Sequence, residues 1–166
     1  KNNYIFSKYI AEKTIETYTN KIPWINVRLS NIYGPSLLER PDIIISIFHR
    51  ILKKKTVKIK SFKPRRDFIH VNDVADGVIK LLKSSYIGHV NLGTGKHSSI
   101  KDVCSNIEKI TKKNILSLDE DVLGPYVYAL NIDLLKKITG WQPKISLKSG
   151  LEMTWTQLLA WKKKIR

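Results

Sequence analysis

Apolar residues recur at steps of three and four along several stretches of the chain. Val74, Ala75, Val78, Ile79 and Leu82 form one such set, and Ile100, Val103, Cys104, Ile107 and Ile110 another. Leu147, Leu151, Trp155, Leu158 and Ile165 share one side of a third. This spacing predicts helices buried along one face. Ile43 to Leu52 reads as a further helix, with Lys53, Lys54 and Lys55 at its negative dipole end. A short helix over Ile132 to Ile138 closes at Gly140. Near the start, Ile5, Tyr9, Ile15 and Tyr18 fall near helical spacing and predict a further helix, with Glu12 and Glu16 outside the apolar set. Asn20-Lys21-Ile22-Pro23 ends that helix, because proline disfavours helical geometry in the residue before it.

Between these helices lie short runs of strand character. Trp24 to Leu29 reads as a buried strand, and Val57 to Phe62 alternates as a strand with one covered face. Phe68 to Val71, Val90 to Leu92 and Asn114 to Leu118 are further strands. Lys63-Pro64 is a break, and Tyr33-Gly34-Pro35 and Asp119 to Gly124 are turns. Asn72 and Asp73 suit the cap of the Val74 helix, and Ser98 or Ser99 that of the Ile100 helix. Strands alternating with helices predict an α/β fold. No internal repeat or low-complexity linker interrupts it.

Composition adds bounds. The chain has 166 residues, 42% apolar and 27% charged, which is globular and long enough for a core of its own. No apolar run is long enough for a membrane helix, and no signal segment opens the chain. The single Cys104 excludes an intramolecular disulfide and fits a reducing cytoplasm. Thirty Lys and Arg against fourteen Asp and Glu give +16, which favours anionic partners. The basic residues are scattered, however, and lack aromatic residues interleaved on one face, so a nucleic-acid partner is not expected. No metal ligand set stands out. Met153 is the only methionine, and the opening Lys1-Asn2-Asn3-Tyr4 leads directly into helical sequence. A processed or truncated product is the expectation from that start.

Tyr4-x-x-x-Lys8 is the first chemical candidate. Four residues along a helix bring the phenol and the ammonium to one face. A nearby cation lowers a phenol's pKa and makes it usable in proton transfer. Tyr9-x-x-x-Lys13 has the same spacing, and either pair could equally be a surface tyrosine and lysine. Spacing alone leaves all three readings open.

The surrounding residues go further. Tyr4-Ile5-Phe6-Ser7-Lys8-Tyr9-Ile10-Ala11-Glu12 resembles the active-site helix of the extended short-chain dehydrogenase/reductases, the nucleotide-sugar epimerases and dehydratases. Arg28 to Pro35 is similar to that family's Arg-x-x-Asn-x-Tyr-Gly-Pro, and Arg66 to Ala75 to its Arg-Asp-Phe-x-x-Val-x-Asp-Val-Ala. Asn91-Leu92-Gly93-Thr94-Gly95 and Gly140-Trp141-Gln142-Pro143 resemble two further blocks, in the same order. The resemblance selects Tyr4 and Lys8 over Tyr9 and Lys13. It implies Tyr4 as acid/base, Lys8 on the nicotinamide ribose, Ser30 close to the nicotinamide, and Asn31 and Arg66 on the substrate diphosphate. It implies NAD as cofactor, with NADP possible, a nucleotide-diphosphate sugar as substrate, and a homodimer formed through the Tyr4 helix. The alternatives to phosphate binding are turn-backbone bonding for Asn31 and an ion pair with Asp67 or Asp73 for Arg66. Arg28, Asp73 and His70 read as structural, and Trp141 as packing under the last helices.

The resemblance also implies a division of the chain. Residues 1–34 and 68–96 correspond to the later part of a Rossmann-type parallel sheet. Residues 35–67 and 97–166 correspond to a smaller α/β domain that holds the sugar nucleotide. Two family features are missing. Lys58 to Arg65 lacks a glycine-rich turn, and Tyr126 to Asn131 lacks an arginine. The Gly-x-x-Gly-x-x-Gly turn that cradles NAD pyrophosphate is also absent from the 166 residues. The expectation is the C-terminal half of an epimerase, inactive by itself. A dehydratase or reductase of the same family, or a non-catalytic sugar-nucleotide-binding or dimerisation module, is the alternative.

Overall fold

The computed structural model describes residues 3–18, 21–38, 42–122 and 124–164. Asn20, Leu123 and Ile165, which entered the expectations above, lie outside that set. Helix α1 spans Asn3–Glu16, and the strands β1 (Ile25–Leu29) and β2 (Asn31–Tyr33) follow. Next come α2 (Ile43–Lys53), β3 (Thr56–Ile59), β4 (Arg65–Arg66), β5 (Phe68–His70) and α3 (Val71–Leu82). The chain continues through β6 (Gly88–Leu92), β7 (Ser98–Ser99), α4 (Ile100–Thr111), β8 (Asn114–Ser117), β9 (Val127–Tyr128), α5 (Asp133–Thr139) and α6 (Leu147–Lys164).

The strand pairs β1–β6, β2–β5 and β3–β8 are all parallel. β4 pairs in parallel with β9 and antiparallel with β7. This is the α/β architecture that the alternation predicted. Parallel pairing requires crossovers, and helices supply them.

Ser30 is the point where the chain changes partner. Its N–H donates to the Leu92 carbonyl at 3.1 Å, continuing β1 on β6. The next N–H, of Asn31, donates to the Asp67 carbonyl at 2.9 Å and starts β2 on β5. A hydrophobic core lies to either side of this junction. One gathers Ile44, Ile47, Phe48 and Ile51 of α2 with Val103, Cys104 and Ile107 of α4 and Leu151 and Leu158 of α6. The other gathers Ile69, Val74, Leu81, Val90, Leu92, Leu135 and Trp141. Phe48 stacks on Trp155 with ring centroids 5.4 Å apart. Gly150 of α6 is needed for close approach, because a Cβ there would lie 2.1 Å from Tyr33 Oη.

Caps settle several helix starts. Ser99 caps α4 and forms a reciprocal box with Asp102. The Asp42 carboxylate caps α2, accepting from Ile45 N–H at 2.9 Å. For α3 the expected Asn72 or Asp73 cap is replaced by His70, whose Nδ1 accepts from Asn72 N–H at 3.2 Å. Asp73 lies in the first turn of α3 but is not its cap. Its carboxylate accepts from the backbone N–H groups of Lys144 and Ile145 and ties the chain before α6 to α3.

Five expectations need correction. On α3 the covered residues are Val74, Gly77 and Leu81 with Val78 half-buried, while Ala75, Ile79 and Leu82 of the predicted set are exposed. The Val57 strand stops at Ile59. β1 is half-buried, with Arg28 and Leu29 exposed. Trp141 packs in the core beside Gly77 and Leu92. α1 turns the opposite way from its apolar pattern: Ile5, Phe6, Tyr9, Ile10 and Ile15 are exposed, and Glu12 and Glu16 face the sheet. Cys104 is in the core, as its helical spacing predicted, and burial pushes its thiol up to about 12. Among the described residues no helix is long and apolar enough to cross a membrane, and no cluster of His, Cys, Asp and Glu could hold a metal ion.

Candidate active site

Two groups of candidate residues occupy different elements. Tyr4 and Lys8 stand on α1, with Lys8 Nζ 5.5 Å from the Tyr4 ring centroid. Tyr9 and Lys13 repeat that geometry at 5.7 Å. The two lysines differ in their other contacts. Lys13 donates to both Glu16 carboxylate oxygens at 2.9 and 2.8 Å. Lys8 has no carboxylate partner among the described residues, so its charge is available to Tyr4 and to a ligand.

Asn31 and Arg66 line one cleft of about 530 Å³. Arg50 and Lys60 add cationic groups to its wall, and Asp42 and Ser61 are further polar members. Asn31 is held at the start of β2, where its Nδ2 donates to the Asp67 carbonyl at 3.2 Å. Part of its amide thus satisfies backbone, as the structural alternative required. Arg66 pairs with neither Asp67 nor Asp73. Its Nη1 donates to the carbonyls of Arg65 and Tyr126 at 3.0 and 3.2 Å, which orients the guanidinium. A guanidinium free of carboxylates can grip phosphate oxygens in a planar fork. Tyr4 and Lys8 are not among the residues lining this cleft.

Ser30 sits between the two groups in the chain, at the strand switch. Its Oγ is buried and has no hydrogen-bond partner among the described residues. Beside it lies the most heavily used carboxylate in the structure, which the sequence reading considered only as a partner for Arg66. Asp67 is fully buried. It accepts from Thr94 N–H at 2.9 Å, Thr94 Oγ1–H at 2.6 Å, Gly95 N–H at 3.2 Å and Leu130 N–H at 3.3 Å. Gly93 must be glycine here, since a Cβ would lie 2.5 Å from Asp67 Oδ2 and 3.1 Å from Ser30 Oγ. Gly93-Thr94-Gly95 therefore wraps a carboxylate of its own chain rather than a ligand phosphate. The sequence signal was available: an acidic residue directly before an all-buried strand needs donors from elsewhere.

α1 is tied to the β1–β6 ribbon by charge. Arg28 Nε donates to Glu12 at 3.0 Å, and this bond holds the Glu12 carboxyl below its usual range. Glu16 meets His89 Nε2 at 2.8 Å, and hydrogen bonds from Lys13 and then His89 lower its pKa. His70 is buried, and burial lowers its imidazole pKa. With Nδ1 committed to the cap, it serves as a structural group.

The NAD dependent epimerase/dehydratase family matches over residues 1–93. UDP-glucuronate 4-epimerase from Thermodesulfobacterium geofontis is 33% identical, over 77% of this chain and 41% of that protein. GDP-L-fucose synthase 1 from Arabidopsis thaliana is 27% identical, over 92% of this chain and 51% of that protein. The structure of RMD from Pseudomonas aeruginosa complexed with NADPH superposes with a TM-score of 0.86 at 22% identity, covering 96% of this chain and 57% of that one. The chain spans about half the length of the curated relatives it matches.

Proposed function

Because the chain belongs to the NAD dependent epimerase/dehydratase family, we propose that it supplies the acid/base helix and the diphosphate grip of a nucleotide-sugar epimerase. The observation that carries this reading is the Tyr4–Lys8 pair, whose ammonium is uncommitted to any carboxylate among the described residues. Similarity to a UDP-glucuronate 4-epimerase agrees with this reading, and similarity to a GDP-L-fucose synthase makes another activity of the same family the alternative.

In this reading Tyr4 accepts the proton of a sugar hydroxyl as the carbon beneath it is oxidised. Lys8 stabilises the phenolate and binds ribose hydroxyls. Tyr4 then returns the proton once hydride has been delivered to the opposite face of the sugar. Asn31 and Arg66 hold the diphosphate and keep the sugar within reach. Bound NAD, or NADP, supplies the hydride acceptor that no side chain provides. The residues present fit such a group on two counts. Ser30 Oγ is a buried polar atom lacking a partner, and Lys8 is a cation lacking a counter-charge among the described residues. The exposed Ile5, Phe6, Tyr9 and Ile10 support packing of α1 against a second copy.

Arg66→Ala tests the substrate half of the reading in the whole enzyme. Losing a charge-assisted fork should raise KM for the nucleotide sugar by about 10- to 100-fold, with kcat changed much less. Steady-state kinetics checks this, and an unchanged KM would remove Arg66 from the site. The 166 residues hold no Gly-x-x-Gly-x-x-Gly turn. The isolated chain should therefore release no measurable heat when titrated with NAD at micromolar concentration, and tight binding there would contradict the assignment of cofactor grip to other residues.

A further inference from the structure

α1 rests on the sheet through carboxylates, and none of its residues is buried. Glu12 and Glu16 are one turn apart and both turn toward the β1–β6 ribbon. Glu12 takes Arg28 from β1. Glu16 takes His89 from β6, with Nε2 2.8 Å from Oε1. The other ring nitrogen of His89 lies 3.8 Å from Glu12 Oε2 and, although buried, has no hydrogen-bond partner among the described residues. The imidazole thus stands between both carboxylates of the helix. Its own position is fixed from two sides. The Trp24 ring meets it edge-on with centroids 5.2 Å apart, and Tyr86 Oη donates to the His89 carbonyl at 2.8 Å.

We propose that His89 is a positioning residue for Tyr4, acting by holding Glu16, and with it α1, in one orientation on the ribbon. The proposal rests on the reading of Tyr4 as the acid/base. Its physical basis is leverage. Arg28 and Glu12 fix the helix at one point, about which it can still tilt. His89 and Glu16 supply the second point. Tyr4 is eight residues from that pivot at Glu12, so the arm is about 12 Å at the helical rise per residue. A tilt of about 5° would move the phenol by roughly 1 Å on that arm. Displacement of that order is enough to lower a rate by about a hundredfold. His89 also lies outside every block that carries the family resemblance, so its role follows from this structure and not from the motif.

The test uses the whole enzyme and reads both motion and rate. In His89→Ala, amide hydrogen exchange across residues 4–16 should quicken by about tenfold in the absence of substrate. kcat should fall at least tenfold, with KM for the nucleotide sugar within about twofold. His89→Gln keeps a donor toward Glu16 and should recover most of the rate. Glu16→Ala added to His89→Ala should cost little further, because the Lys13–Glu16 pair that it also removes lies within α1 and does not anchor the helix to the ribbon. Unchanged exchange and kcat in His89→Ala would overturn the proposal. So would a fall in kcat that only tracks the folded fraction, or additive losses in the double variant. Faster exchange with normal kcat, in an enzyme that Tyr4→Phe does disable, would overturn it as well. If Tyr4→Phe leaves kcat intact, the acid/base reading fails and takes the positioning role with it, while the exchange data still report whether the contact holds the helix.

Discussion

Tyr4→Phe in the whole enzyme should lower kcat by at least about a hundredfold and leave KM for the nucleotide sugar within about twofold. General acid/base groups contribute roughly 10²- to 10⁴-fold, and the phenol oxygen is what this substitution removes. The ring remains, so its contact with Lys8, 5.5 Å from the centroid, should persist. Tyr4 is exposed, so the change should not disturb packing. Tyr9→Phe is the internal control. Tyr9 has the same lysine spacing and nearly the same ring distance, but its lysine is held by Glu16. It should retain near-normal turnover. Steady-state kinetics on both variants separates a role for the motif from a role for any tyrosine–lysine pair on this helix.

The largest stability effect should come from Asp67→Ala. The carboxylate is fully buried and receives donors from Thr94, Gly95 and Leu130, which come from two segments far apart in the sequence. Truncation would take their shared acceptor from the N–H groups of Thr94, Gly95 and Leu130, around a side chain that is itself fully buried. Each orphaned group costs about 1–3 kcal/mol, so a loss of at least ~3 kcal/mol is expected. At a few degrees per kcal/mol for a protein of this size or larger, thermal melting should fall by about 6–12 °C. The damage should reach activity too, because Asp67 also offers its carbonyl to Asn31. A melting temperature within a degree or two of the parent would mean that the buried carboxylate is not the hub described here.

The sequence was most legible where one segment's own pattern decides its structure. α4 and α6 carry apolar residues at helical spacing, and their covered faces follow it, whereas α3 covers Val74, Gly77 and Leu81 and leaves Ile79 and Leu82 exposed. The Ser98 or Ser99 choice was local, and Asp102 three residues on resolves it in favour of Ser99. The short strands β4, β7 and β9 were not legible, because two residues carry no period and their pairing partners lie far away in sequence. α1 was misread for a related reason. Its apolar residues mark a surface that these strands do not cover, while its attachment runs through Glu12 and Glu16, which an apolar pattern assigns to solvent. At the site, motif order pointed to Asn31 and Arg66, and both do line one cleft. Asp67 and His89 escaped because their partners are set by the fold: four donors gathered from two loops for one, a helix carboxylate for the other.

In the proposed mechanism Tyr4 handles the hydroxyl proton of a sugar carbon that loses hydride and regains it on the opposite face. Nuclear magnetic resonance of nucleotide sugars deuterated at the reacting carbon, incubated with the whole enzyme and NAD, tests this most directly. The predicted result is inversion of one hydroxyl-bearing carbon with the deuterium still attached to it, and no inversion with Tyr4→Phe. Loss of the label to solvent, inversion that survives Tyr4→Phe, or no inversion of any nucleotide sugar would contradict it.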